Sequence, residues 1–72
     1  MEEMLMEVLN DGQELLLMDG TKWMINPGDI PSVCTWIPTA KIKVEKLDIN
    51  DMFFYKLTNL NVDISVYAMK IN

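Results

Sequence analysis

The sequence predicts an all-β fold, a small sandwich or barrel made of hairpins, with one short 3-10 turn. Two observations carry this. Turn signals recur at short, regular spacing: NDG at 10–12, DGT at 19–21, NPGD at 26–29, IPTA at 37–40, DIND at 48–51 and NLN at 59–61. Between them lie runs of five to ten residues rich in Val, Ile, Leu, Met and aromatics, the pattern of hairpins in a sandwich or barrel. The 72 residues are read as one domain, 1–72, with no linker or low-complexity stretch.

At the N-terminus a strand competes with a helix. Met1, Met4, Leu5, Val8 and Leu9 also fall at helical spacing, with NDG as a candidate C-cap. A two-residue Asp11-Gly12 turn favours the hairpin and pairs Val8 with Leu15 and Met6 with Leu17. A three-residue loop over 19–21, with Gly20 in the left-handed region, then sets Leu17 opposite Trp23 and Leu15 opposite Ile25. Gly12, Gly20, Trp23 and Tyr55 are therefore read as structural positions. Burying an indole removes about 150–250 Å² from water, worth roughly 4–6 kcal/mol by area, a large share for so small a domain.

Residues 27–38 contain all three prolines, Cys34 and Trp36. The segment suits a 3-10 turn capped by Asp29 with Pro31 in its first turn, and not a central strand. Trp36 is then a lid on the barrel end or a ligand platform. Cys34, between Val33 and Thr35, reads as a small buried hydrophobe. The strand KIKVEK alternates, Ile42 and Val44 inward and Lys41, Lys43 and Glu45 outward.

For the last hairpin, a turn centred on Leu60-Asn61 puts Leu57 opposite Ile64, Tyr55 opposite Val66 and Phe53 opposite Ala68, all on one face. A one-residue slip would bring Asp63 and Ser65 inward instead. The predicted core is Met6, Val8, Leu15, Leu17, Trp23, Ile25, Ile42, Val44, Phe53, Tyr55, Leu57, Ile64 and Val66. The same registers leave Leu5, Leu9, Leu16, Met18, Met24, Met52, Phe54, Tyr67 and Met69 on the outer face, with Phe54 paired to Tyr67 and Met52 to Met69. A monomer rarely exposes contiguous apolar surface on that scale, and methionine and aromatics are enriched at interfaces. Trp36, Met52, Phe54, Tyr67 and Met69 are the candidate binding residues.

Chemistry is sparse. With no histidine and one cysteine, neither a tetrahedral metal site nor a disulfide within the chain can be written. General acid–base catalysis most often uses histidine, and neither Ser32 nor Ser65 has a base in prospect. DINDMF at 48–53 lacks the oxygen ligand and glycine of a calcium loop at Met52 and Phe53, so Asp48 and Asp51 read as turn formers. No enzyme, cofactor or metal is expected.

Net charge is −5, with six lysines and no arginine, which argues against nucleic acid. Lys41, Lys43 and Lys46 are the whole case for it. Charge is also lopsided. Residues 1–29 carry Glu2, Glu3, Glu7, Asp11, Glu14, Asp19 and Asp29 against Lys22 alone, while 30–72 carry four acids against five lysines. The acidic start MEEMLMEVLN is not a secretory signal, and no apolar run reaches the roughly 20 residues of a membrane span. The expectation is a cytoplasmic protein with a reduced thiol.

The order DGTKW, PGD, CTWIP, KIKV and YKLTN resembles a group of small bacterial domains of unknown function that look like SH3-like barrels, over roughly residues 12–59. The resemblance implies an SH3-like, partly open barrel of five to six mainly antiparallel strands, with signature positions at Gly20, Trp23, Trp36, Tyr55 and Asn59. The chain departs from the pattern after Asn59, where the turn LNV carries no glycine. The resemblance implies no activity. The expected role is a non-catalytic protein-binding or assembly module; the alternative is a homo-oligomer using the outer apolar face or pairing residues 62–71 across a two-fold.

Overall fold

In a computed structural model, which describes residues 1–49 and 52–72, six antiparallel strands close into a barrel. They are β1 (Glu2–Leu9), β2 (Glu14–Leu17), β3 (Lys22–Ile25), β4 (Lys41–Lys46), β5 (Tyr55–Asn59) and β6 (Ile64–Lys70). The order around the barrel is β1-β2-β3-β6-β5-β4. Two three-stranded meanders are thus joined edge to edge, β3 to β6 and β1 to β4. The barrel is closed rather than partly open. β6 is paired on both sides, with β5 along Ile64–Ala68 and with β3 along Ala68–Lys70.

The turns set the registers. Asp11 and Gly12 both take positive φ, 57° and 94°, as a type I′ turn requires, and Val8 sits opposite Leu15 as expected. The second loop is three residues long but spans 18–20: Gly20 N–H donates to Leu17 O, and Leu17 pairs through Thr21 O. Moving the loop back by one shifts the pairing by two, so Leu15 faces Trp23. The last loop, residues 60–63, has its centre one residue later than expected, and Tyr55 faces Ala68 while Leu57 faces Val66. Both errors are even, so the faces survive.

One change is odd. β1 carries a bulge: Leu5 pairs with Leu17 and Glu7 with Leu16, leaving Met6 as the extra residue. Leu5 therefore turns inward and is fully buried, while Met6 is exposed. Ile64, expected in the core, is exposed beside the last loop opposite Asn59. Phe53, also expected inside, is only half-buried. The core is otherwise as predicted through Leu15, Leu17, Trp23, Ile25, Ile42, Val44, Leu57 and Val66, with Val8 and Tyr55 packed against it.

Residues 27–38 cross one end of the barrel. Pro27–Asp29 form a 3-10 turn, followed by the single turn α1 (Ile30–Val33). Asp29 stands at the N-cap position but does not cap with its side chain. Its Oδ2 instead accepts the Tyr67 backbone N–H at 2.9 Å, strapping the segment to β6. Val33, Trp36 and Ala40 from this crossing complete the core.

Candidate interaction surface

The outer face of β1, β2, β3 and β6 is laid out by the registers. One row runs Leu9, Glu14, Met24, Met69 across the four strands, and a second runs Glu7, Leu16, Lys22 across three. Met4 and Met18 adjoin them, joined by the Met18 N–H to Met4 O bond of 2.9 Å. None of the seven methionines is in the core. Six are between 38% and 67% exposed, and Met69 is half-buried. Methionine usually fills gaps in cores, and its flexible, polarizable thioether suits surfaces that must adapt to a partner.

The expected binding residues are divided by the structure. Met52 and Tyr67 are exposed, at 61% and 44%. Phe54 does not meet Tyr67; it is half-buried, its ring 4.7 Å from that of Tyr55, with Lys46 Nζ 5.8 Å from its centroid. Tyr67 lies opposite Lys56, and Met69 opposite Met24 rather than Met52. Instead Phe53 lines two shallow grooves on this side, one with Met24, Pro27 and Ile30, the other with Leu47, Ile49 and Tyr67. Asp51 lies outside the described residues.

Trp36 is not a platform. It is 5% exposed and belongs to the core, which corrects its place among the binding residues. Its Nε1 is buried with no hydrogen-bond partner among the described residues, a cost of about 1–3 kcal/mol that packing must offset. Beside it a cleft of about 170 Å³ is lined by Pro38, Thr39, Ala40, Asn59 and Asn61. Thr39 there has φ of 72°, unusual for a β-branched residue, and is held by its N–H to Leu5 O at 2.7 Å. Asn59 is buried and accepts the Asn61 N–H at 2.9 Å; Asn61 in turn accepts the Lys41 N–H at 2.8 Å. These polar groups are spent on the loop itself.

Trp23 is buried, and its Nε1 donates to Thr21 Oγ1 at 2.9 Å, which donates to Asp19 Oδ1 at 2.6 Å. The Thr21 hydroxyl and N–H together hold the Asp19 carboxyl below its ordinary value. Tyr55 meets Trp23 edge-on at 4.9 Å. Cys34 is exposed, not a buried hydrophobe, because it sits on the outer side of the crossing segment. Its thiol donates to Asp11 O at 3.1 Å.

Glu7 and Glu14 lie within the rows and Asp11 in the turn between β1 and β2, while Asp19 sits at the barrel end with Lys46 and Lys70. Lysines gather on β4 and β5, where Lys41 pairs with Glu2 at 3.6 Å and Lys43 with Glu45 at 4.0 Å. No group of three or more potential metal ligands occurs among the described residues, and no helix there is long and apolar enough to cross a membrane. No family model, curated protein or solved structure matches the chain.

Proposed function

We propose that this barrel is a non-catalytic protein-binding module that works through the outer face of β1, β2, β3 and β6. The observation that carries the reading is the placement of the methionines. A domain this short has every incentive to bury apolar side chains, since it hides only about 60% of its unfolded surface. Leaving all seven Met outside the core while the barrel is already closed argues for a surface kept adaptable. The resemblance to small bacterial SH3-like domains agrees with a binding role but adds nothing to it, because small barrels host many tasks. Nucleic acid is disfavoured by the ion pairs that engage Lys41 and Lys43, and a cytoplasmic setting suits the single exposed thiol.

Hydrophobic-dye binding combined with solution mass tests the reading. The expected result is a monomer at micromolar concentration that binds dye, with Met24→Lys reducing the signal by about half. A monomer that binds no dye would overturn it. Mass rising with concentration would favour the second reading, a homo-oligomer in which the same face is buried between copies.

A further inference from the structure

The charge around the methionine face specifies what it takes. We infer that the occupant is a cationic amphipathic segment of another protein, its apolar side seated on Met4, Met18 and Met24 and its Lys or Arg side chains on Glu7 and Glu14; this rests on the binding reading above. Glu7 lies opposite Leu16, and Glu14 lies between Leu9 and Met24, so carboxylates are interleaved with the apolar side chains and not confined to a rim. Asp11 flanks the rows in the turn between β1 and β2, and Lys22 is the one cation in them. Complementary charge steers encounter and selects partners.

The same distribution speaks against a second copy. A two-fold contact through this face would set one acidic surface against another, and like charges brought together cost affinity. Four of the chain's six lysines stand on β4 and β5, where the outward side chains Lys41, Lys43, Glu45 and Lys56 offer no apolar complement to the methionines.

The test uses the full chain with [methyl-13C]methionine, titrated with a short amphipathic Leu/Lys peptide and with its Leu/Gln analogue. The proposal expects the Leu/Lys peptide to shift the Met4, Met18 and Met24 methyls more than those of Met1 and Met52, and to bind more weakly as salt rises. Glu7→Lys and Glu14→Lys should each weaken binding roughly fivefold. Glu45→Lys, the same charge change on the far side, should leave it within about twofold. Equal, salt-independent binding of the Leu/Gln peptide would overturn the cationic partner and leave the binding reading standing. Methyl shifts driven by protein concentration alone would assign the face to a second copy. If neither peptide moves these methyls although dye binds, the cationic partner is wrong; if dye also fails, the binding reading falls with it.

Discussion

A Cβ on Gly12 would stand 2.6 Å from Cys34 Sγ and 3.2 Å from Ile30 O, and the residue already needs φ of +94°. Gly20 needs nearly the same φ, +90°, but a Cβ there meets nothing within 4 Å. The two glycines thus separate strain from space. Gly12→Ala should cost about 2 kcal/mol or more and Gly20→Ala about 1 kcal/mol in urea unfolding; equal costs would mean that the Cys34 contact yields freely. Asp19 carries a pH dependence of known sign. Its carboxyl is held low in the folded chain by Thr21, so its contribution is complete above the unfolded value near 4 and is lost as pH falls through the folded value. Asp19→Asn should therefore flatten the stability–pH curve below about pH 4 and leave its shape at neutral pH unchanged.

At the scale of elements, the N-terminal strand shows why part of the fold is legible and part is not. Inward Leu5 and Val8 are three residues apart, a spacing that reads as a helix turn and that a strand achieves only through the bulge at Met6. An uninterrupted strand predicts Met6 inside and Leu5 outside; the bulge reverses them. Leu5→Ala should cost about 2–4 kcal/mol and Met6→Ala less than about 0.5 kcal/mol, measured by thermal unfolding. The opposite order would mean a regular strand. Loop residues announced the hairpins, because Asp11-Gly12 and Gly20 need positive φ that few other residues tolerate. They did not fix where a loop begins, and each one-residue error moved pairing by two. That is harmless for which face is buried. It is fatal for naming neighbours, and so the Phe54–Tyr67 and Met52–Met69 pairs do not form while Met24–Met69 does.

For the whole molecule, alternation along the strands made most of the wall readable, but closure was not. The pairing of β1 with β4 and of β3 with β6 depends on strands distant in the chain, and no local pattern in residues 1–9 or 64–70 encodes it. For residues 27–38 the prolines spoke against a strand and left Trp36 as a lid or a platform; burial of Val33 and Trp36 decides for the lid. Once the barrel is closed and that end is sealed, the methionines have no core left to fill, and the outer face acquires its apolar and acidic character together. The central claim is thus that Met18 and Met24 face water in the single, unbound chain. The direct measurement is attenuation of 13C-labelled methionine and leucine methyl signals by a soluble nitroxide at monomeric dilution. The account predicts that Met4, Met6, Met18 and Met24 are attenuated about as strongly as Met52, while the methyls of Leu15 and Leu57 are spared. Protection of Met18 and Met24 at the level of Leu15 would show that the face is covered by the chain itself, and would contradict the account.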